Sequence, residues 1–362
     1  MLVTRHHGST RRFTRRAVSK LFATLPFMVS GCMAASKQPN DELPDHHTMD
    51  GFRNPPGSPE SGGDFGDWAG FFWRGATHKE DLVIPPDHAL SREAVLAGLN
   101  HADGADRITW LGHASFLLKL TGRNIVTDPF LSDHASPIPP LGPKRAVPPA
   151  LRAHELPPID ILLLSHNHYD HLDLPSLDTL PLADNAHAVV PLGLGHYAES
   201  RGFDQVTEMD WHDDLHLDGL KITSLPAIHM SKRGFFDRNR TLWTSYSLET
   251  EQRRLYFAGD TAYGPVFRDF ASKLAPFDIG LVPIGAYEPR LLMRQVHTTP
   301  EEAVKIGLDL GIKSLVAMHW GTIQLTDEPL FEPPERFYMA AAKAGYDERD
   351  IWAMKIGETR KL

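Results

Sequence analysis

The chain has 362 residues, of which 41% are hydrophobic and 23% are charged. This composition is typical of a globular protein and excludes fibrous and wholly disordered classes. The formal net charge of −9 at pH 7 disfavours nucleic-acid binding, because proteins that grip phosphate backbones need an excess of cations. We therefore predict no nucleic-acid partner.

The first 36 residues differ from the rest of the chain. A basic stretch precedes a short apolar run at 21–29, and small residues lead to Cys32, which is the single cysteine. This order is typical of an export signal, and the run is too short for a membrane-spanning helix. Residues 29–32 (VSGC) resemble a bacterial lipoprotein signal, and residues 14–20 (TRRAVSK) resemble a twin-arginine motif.

We therefore predict an export signal at 1–36 with lipidation at Cys32. A lipid anchor there would hold the mature protein on a membrane of the bacterial cell envelope, on the periplasmic side. The alternative is a misassigned start and a cytoplasmic protein.

Residues 37–66 are rich in Pro, Gly, Ser, Asn and Asp. They contain too little apolar surface to fold alone, so we predict a flexible linker ahead of one domain at 67–362. The domain begins with an aromatic cluster at 68–73. Such a cluster favours an N-terminal segment that docks on the core, and the alternative is the lining of a groove that accepts a lipid.

From Arg107 onward, the sequence shows apolar runs with the length of strands. The first runs follow one another directly, and the later ones alternate with helical patterns. Consecutive strands with tight turns predict a meander, and strand–helix alternation predicts a sheet covered by helices. We predict strands at 107–111, 115–120, 124–128, 159–165, 187–191, 220–225, 242–249, 253–258, 278–282, 314–318 and 352–356. We predict helices near 175–181, 264–274, 299–310 and 334–343. Together they indicate two sheets with helices on the outer faces.

The most informative stretch is 165–173 (SHNHYDHLD), directly after an apolar strand. It carries His166, His168, Asp170 and His171, four potential metal ligands within six residues. Spacing of two residues lets the first two imidazoles converge on one ion, while the other pair can turn toward a second ion about 3.5–4 Å away. This donor set suits zinc, with iron or manganese as alternatives. A solvated polar turn is disfavoured, since catalytic loops commonly follow strands.

Three further candidates occupy the same kind of position, a polar residue directly after an apolar run: His229, Asp260 and His319. Taken singly, either histidine is better explained by an ordinary hydrogen bond near the core. Taken together they favour one site, because Gly259 and Gly321 permit close approach of the backbone.

These segments resemble the signature of the metallo-β-lactamase superfamily, whose α/β fold is a four-layer αβ/βα sandwich. Its marks here are SHNHYDHLD at 165–173, GDT at 259–261 and HWGT at 319–322. Other segments resemble the branch that contains the N-acylphosphatidylethanolamine-hydrolysing phospholipase D and its bacterial relatives. They are WLGHA at 110–114, TDPF at 127–130, GPKR at 142–145, PIGAYEPR at 283–290 and HTTPEEA at 297–303.

The resemblance implies a centre of two zinc ions. One ion would be held by His166, His168 and His229, the other by Asp170, His171 and His319, and Asp260 would bridge the pair. The implied reaction is hydrolysis of a phosphodiester by a hydroxide that bridges the ions. The implied substrate is an N-acylphosphatidylethanolamine, cleaved to an N-acylethanolamine and a phosphatidic acid.

Five more residues receive roles. Tyr169 and His297 match positions that contact the substrate phosphate, and packing over the metal loop is the alternative for Tyr169. For Arg290, a structural ion pair and a phosphate contact are equally favoured. Asp128 and His113 are predicted to accept the second N–H of a ligand imidazole.

Two other functions stay open at this level. The same centre could open a lactone or another carboxylic ester or amide. A non-catalytic, metal-binding envelope lipoprotein is the alternative of another class. It is disfavoured because structural zinc sites normally close with four protein ligands per ion, whereas seven candidates for two ions leave positions for water.

Overall fold

The computed structural model describes residues 43–60, 62–77, 82–101 and 104–362. The predicted export signal and Cys32 lie outside these ranges. The described chain begins with a two-stranded hairpin and two helices: β1 (His47–Thr48), β2 (Gly51–Phe52), α1 (Phe65–Thr77) and α2 (Arg92–His101). None of the helices in the described ranges is long and apolar enough to cross a membrane.

The hairpin falls within the predicted linker, yet residues 44–60 pack on the domain. His46 and Pro55 are buried, and the Phe52 N–H donates to the Asn239 carbonyl at 2.8 Å. The ring of Phe52 packs against a small apolar cluster that contains Trp211. The sequence of this stretch contains few apolar side chains. Besides Phe52, its contacts with the domain are made by polar side chains and by the backbone.

The first half of the domain supplies six strands and two short helices. They are β3 (Arg107–Gly112), β4 (Ser115–Leu120), β5 (Arg123–Thr127), β6 (Ile159–Leu163), α3 (Leu174–Leu177), β7 (Leu182–Pro191), α4 (Gly195–Glu199) and β8 (Gln205–Met209). A single 3₁₀ turn lies at Ala153–Glu155.

The second half supplies seven strands and four helices. They are β9 (Asp214–Leu217), β10 (Leu220–Leu225), β11 (Ser245–Glu249), β12 (Arg254–Phe257), α5 (Val266–Leu274), β13 (Ile279–Pro283), α6 (Arg290–Met293), α7 (Pro300–Asp309), β14 (Ser314–Met318), α8 (Pro333–Lys343) and β15 (Ile351–Trp352). A 3₁₀ turn at Glu348–Asp350 precedes β15. The last strand, β16 (Thr359–Lys361), returns to pair with β3.

The strands form two seven-stranded sheets of similar construction. The N-terminal sheet has the order β16-β3-β4-β5-β6-β7-β8, and the C-terminal sheet has the order β15-β14-β13-β12-β11-β10-β9. Each sheet is antiparallel at one end and parallel at the other. Helices cover the parallel parts, since parallel strands need crossover connections. The predicted sandwich of two sheets with outer helices is confirmed.

The main core lies between the sheets and is built by strand side chains from both. Trp110, Phe116 and Ile161 of the N-terminal sheet share it with Tyr246 and Leu281 of the C-terminal sheet, and all five are fully buried. A second core lies on the other face of the N-terminal sheet. Because the inner faces are sealed by these side chains, the polar residues that end the strands are left at one edge of the sandwich.

The start and end signals predicted for the helix at 299–310 are present in the structure as α7. The N-cap of α7 is Thr299, whose hydroxyl accepts from the Glu302 N–H while the Glu302 carboxylate accepts from the Thr299 N–H. This is a complete capping box, followed by Pro300 at the first helical position. After the helix, Gly311 has φ +57°, the left-handed conformation expected at a helix end.

The aromatic cluster ahead of the sheets forms α1. Trp68 and Phe71 pack against Leu292 and Met293, which confirms docking on the domain for one face of the helix. The other face leaves Phe65 and Phe72 largely exposed.

Candidate metal centre

The predicted ligands converge at one edge of the sandwich. Each follows a strand: the 166–171 loop follows β6, His229 follows β10, Asp260 follows β12 and His319 follows β14. Two four-residue groups result: His166 with His168, His229 and Asp260, and His113 with Asp170, His171 and His319. The structure therefore brings all seven predicted ligands together.

Asp260 lies between the two groups. Its Oδ2 is 3.2 Å from the Nε2 atoms of both His171 and His319, and 3.9 and 3.8 Å from the Nε2 atoms of His166 and His229. This is the position that a bridging ligand would need.

The distances between the donor atoms are compatible with bound metal ions. Ligand atoms about 2.0–2.1 Å from a tetrahedral zinc lie roughly 3.3 Å from one another. Within the first group, His168 Nδ1 is 2.9 Å from His166 Nε2 and 3.2 Å from His229 Nε2. The Nε2 atoms of His171 and His319 and the Oδ1 atom of Asp260 are buried and make no hydrogen bond. Buried polar atoms without hydrogen-bond partners destabilise a folded protein unless an ion or a water molecule binds to them.

Three histidines are held with Nε2 directed at the centre. His171 Nδ1–H donates to Asp128 Oδ2 at 2.8 Å, and His229 Nδ1–H donates to the Val296 carbonyl at 2.8 Å. The Ser165 hydroxyl donates to Asp128 Oδ2 at 2.5 Å, so the 2.9 Å contact between Ser165 Oγ and His166 Nδ1 takes the histidine as donor. In its neutral form, each ring thus directs an Nε2 lone pair at the centre.

The two predicted supporting residues act on different ligands. Asp128 contacts the imidazole of His171, as predicted for it. His113 contacts a carboxylate instead, because its Nε2–H donates to Asp170 Oδ2 at 2.8 Å. The same oxygen lies 3.6 Å from His319 Nε2, so His113 orients the second group through its acid.

Burial controls the protonation of the first group. It lowers the pKa of His168 to about 4 and that of His229 to about 3, and it holds the pKa of His166 well below its usual value. These imidazoles are neutral near pH 7, which is the form that binds a metal.

The second group behaves differently. Burial alone would lower the pKa values of His171 and His319, but the carboxylates of Asp260 and Asp170 outweigh it. They raise the pKa of His319 to about 9 and that of His171 well above its ordinary value. An ion that enters this group must displace both protons.

The backbone at the centre is unusual in its conformation. His113, Asp128 and His319 have φ values of +56°, +32° and +62°. Non-glycine residues adopt positive φ at a cost and only where surrounding contacts enforce it, which is frequent at functional sites. Gly259 has φ +56°, and a Cβ there would lie 2.5 Å from the Cβ of Ser165, which agrees with the predicted close approach.

His297 lies at the rim of the centre. Its Nδ1 atom is 3.9 Å from Asp260 Oδ2, makes no hydrogen bond, and belongs to a side chain that is 13% exposed. Burial lowers its pKa to about 3. A neutral imidazole with a free ring nitrogen is therefore available beside the bridging carboxylate.

Arg290 and Tyr169 are engaged with protein atoms. Arg290 pairs with Glu302 at 2.5 Å and donates to the His297 carbonyl at 2.7 Å, which favours the structural interpretation and fixes the backbone of His297. The Tyr169 hydroxyl donates to the Arg233 carbonyl at 2.7 Å. Its proton is thus directed away from the centre, as in the packed-aromatic alternative.

Sequence reasoning missed several supporting groups. Ser165 is the first residue of the 165–173 stretch, and it is not one of the candidate metal ligands there. The Val296 carbonyl carries no side-chain signal. Asn54 lies in the predicted linker, yet its Oδ1 atom accepts from the His229 N–H at 2.9 Å.

Residues 123–320 match the model of the Beta-lactamase superfamily domain. This range contains all seven candidate ligands and more than half of the chain. The chain belongs to the metallo-β-lactamase superfamily.

Relatives and a solved structure agree with this assignment. The chain is 37% identical to the N-acyl-phosphatidylethanolamine-hydrolyzing phospholipase D 1 of Caenorhabditis elegans over 69% of this chain and 74% of that protein. It is 30% identical to a metal-dependent hydrolase of Methanopyrus kandleri over 70% of this chain and 98% of that protein. A metallo hydrolase of Ignicoccus hospitalis has the same fold, with a TM-score of 0.53, 22% identity, and coverage of 71% and 98%. Within the superfamily, these relatives make the chain a metal-dependent hydrolase.

Proposed function

We propose that this metallo-β-lactamase-fold protein is a phospholipase D-type phosphodiesterase whose substrate is an N-acylphosphatidylethanolamine. The observation that carries the proposal is the 37% identity to the C. elegans phospholipase, together with a centre in which six candidate ligands surround the Asp260 carboxylate. The products would be an N-acylethanolamine and a phosphatidic acid.

The residues would hold two divalent ions, for which the imidazole and carboxylate donors suit zinc. His166, His168 and His229 would bind one ion, Asp170, His171 and His319 the other, and Asp260 both. Bound ions supply Lewis acidity toward a phosphoryl oxygen and make a water far more acidic than bulk water. The remaining chemistry depends on the side chains of the protein.

Support for the ligands comes from groups that do not face the ions. Asp128 and Ser165 fix two rings by hydrogen bonds, His113 fixes Asp170, and the Val296 carbonyl fixes His229. Such partners typically change metal affinity or activity by about 10–100-fold. They preorganise the centre, so that little reorganisation is needed when the phosphoryl charge develops.

His297 is proposed to bind the phosphoryl group. Its Nδ1 atom is buried without a hydrogen-bond partner and lies 3.9 Å from Asp260 Oδ2, in a side chain that is 13% exposed. As a neutral imidazole it can donate one hydrogen bond to a phosphoryl oxygen or to the leaving oxygen. Arg290 is a positioning residue, because it holds the His297 carbonyl rather than reaching the centre.

The test is metal content together with hydrolysis of four substrates by the full chain: bis(p-nitrophenyl) phosphate, an N-acylphosphatidylethanolamine, a lactone and a β-lactam. Two ions per chain with cleavage of both phosphodiesters support the proposal. Cleavage of only the lactone or the β-lactam would keep the centre and overturn the substrate. Absence of bound metal would overturn the centre itself.

A further inference from the structure

A loop next to the metal centre exposes two adjacent aromatic rings. It covers residues 231–240, directly after His229, and we name it the Phe–Phe loop. The side chains of Phe235 and Phe236 at its tip are 93% and 94% exposed. Large apolar side chains are seldom left so bare in pairs, and an exposed apolar patch commonly marks an interaction site.

Hydrogen bonds fix the shape of this loop. The Asp237 carboxylate accepts the backbone N–H groups of Arg233 and Gly234, at 3.1 and 2.8 Å. At the base, the Asn239 N–H donates to the Ser231 carbonyl at 2.8 Å. These hydrogen bonds define the backbone of the loop, and this backbone directs both rings outward.

Four contacts join the loop to the metal loop. The Lys232 N–H donates to Asn167 Oδ1 at 2.9 Å, and the Arg233 guanidinium donates to the Asn167 carbonyl at 2.9 Å. The Tyr169 hydroxyl donates to the Arg233 carbonyl, and the Arg233 guanidinium lies 4.0 Å from the centroid of the Tyr169 ring. Asn167 and Tyr169 alternate with ligands in the sequence, so the tip is fixed relative to the centre.

The loop carries a charge opposite to that of the whole protein. Its four cations and one carboxylate give a net charge of 4 − 1 = +3, whereas the chain carries −9. The carboxylate, Asp237, is occupied by backbone N–H groups, and Lys232 and Arg238 are exposed. Cations beside aromatic side chains form the pattern of segments that bind the interface of anionic bilayers.

We propose that the Phe–Phe loop inserts Phe235 and Phe236 into the interfacial region of an anionic lipid bilayer. Lys232 and Arg238 then lie among the headgroups. The contacts to Asn167 and Tyr169 set the metal centre at the level of the phosphates of the same membrane. This inference rests on the proposed phospholipid substrate and identifies the surface from which that substrate is taken.

The test compares full-length variants in two assays. Binding is measured by sedimentation with phosphatidylcholine vesicles prepared with or without phosphatidylglycerol, and catalysis with soluble bis(p-nitrophenyl) phosphate. The test variant carries Phe235→Ser and Phe236→Ser. The matched control carries Leu308→Ser and Met339→Ser, which remove two exposed apolar side chains from the outer helices α7 and α8.

The Phe235→Ser/Phe236→Ser variant is expected to bind vesicles about 100-fold more weakly, at roughly tenfold per ring. Its hydrolysis of the soluble substrate should match that of the parent. Lys232→Gln with Arg238→Gln should weaken binding to phosphatidylglycerol vesicles by roughly 30-fold, with little effect on pure phosphatidylcholine.

Three results would overturn the inference: no vesicle binding by the parent, equal binding by the loop variant and the parent, or equal weakening in the control variant. A parallel loss of soluble activity in the loop variant would also overturn it, since the loop would then support the metal loop alone. If the parent binds vesicles through the loop but leaves N-acylphosphatidylethanolamine intact, the proposed substrate fails and the bilayer contact stands.

Discussion

The described part of the protein contains two histidine–aspartate clusters that differ in geometry. One is the metal centre around Asp260, at the edge of both sheets. The other joins His46 and His47 of the N-terminal segment to Asp210, which follows β8. Both are largely buried and both combine imidazoles with one carboxylate. Composition alone would therefore assign a metal to each.

Distances separate the two clusters. In the metal centre, the carboxylate–imidazole distances to Asp260 are 3.2–3.9 Å. In the second cluster, His46 Nε2 and His47 Nε2 lie 2.6 and 2.7 Å from the two Asp210 oxygens. The shorter values are charge-assisted hydrogen bonds, whereas the longer ones leave room for an ion.

The satisfaction of hydrogen bonds points the same way. In the metal centre, the Nε2 atoms of His171 and His319 are buried without hydrogen bonds. In the second cluster, the Asp210 carboxylate accepts from both histidines and also from the Trp211 N–H at 2.8 Å. We infer that the first cluster is built for metal ions and that the second ties the N-terminal hairpin to the domain.

The largest expected effect follows from removing the shared charge. Asp260→Asn should retain the fold but bind at most one ion per chain, because one carboxylate offsets the charge of two dications. Hydrolysis of bis(p-nitrophenyl) phosphate should fall by more than about 100-fold, the upper range for supporting residues. Metal analysis and kcat measure both effects. Full metal occupancy in this variant would contradict a bridging role.

His297→Ala should have the next largest effect, on turnover alone. The ring has a free nitrogen beside Asp260 but is not among the seven ligands, so two ions should remain bound. The loss of one hydrogen-bond donor predicts a fall in kcat of about 100-fold. Arg290→Ala is the comparison variant and should lower kcat less. An unchanged rate in His297→Ala would remove this residue from catalysis.

The contrast between the clusters shows what the sequence could reveal about the site. The seven ligands were predictable because each is a polar residue placed after an apolar run, and the ends of such runs meet at one sheet edge. The supporting contacts were less accessible. His113 was expected at an imidazole and lies at Asp170, since only the folded backbone decides which neighbour a ring reaches.

The second cluster shows the opposite case. His46 and His47 lie in a segment whose composition predicts a linker, and Asp210 is far away in the sequence. Their pairing depends on a contact between distant parts of the chain, for which no local periodicity exists. The same reason explains why the short strand β16 was not predicted, whereas β14 was predicted at 314–318, its observed bounds.

The protonation of the metal centre predicts pH-dependent metal uptake. Asp260 and Asp170 raise the pKa of His319 to about 9 and that of His171 well above its usual value. Below pH 9 these protons compete with the ion, so apparent affinity should rise with pH, by at least about tenfold per unit between pH 7 and 8. Calorimetry in buffers of different ionisation enthalpy should count about two protons released at pH 7. Release of no proton would contradict the raised pKa values.

Asp210→Asn should have the smallest effect on the metal centre and a measurable effect on stability. Burial alone would raise the pKa of Asp210, but hydrogen bonds from His46 and His47 outweigh it and lower the pKa to about 2. A carboxyl with a depressed folded-state pKa stabilises the protein above its unfolded pKa near 4, and this contribution is lost as pH falls from about 4 to 2.

The expected difference in free energy of unfolding between the parent and Asp210→Asn is therefore about 2 kcal/mol at pH 7, and it should shrink toward pH 2. Urea unfolding at both pH values measures it, while metal content and kcat should stay within about twofold of the parent. If Asp210→Asn loses metal instead, the N-terminal segment must support metal binding at the centre. The contact that would transmit this effect is the hydrogen bond from the His229 N–H to Asn54 Oδ1 of the same segment. Asn54→Ala would then reproduce the loss while leaving Asp210 and its two histidines paired, which separates an effect transmitted through the hairpin from a metal bound at Asp210.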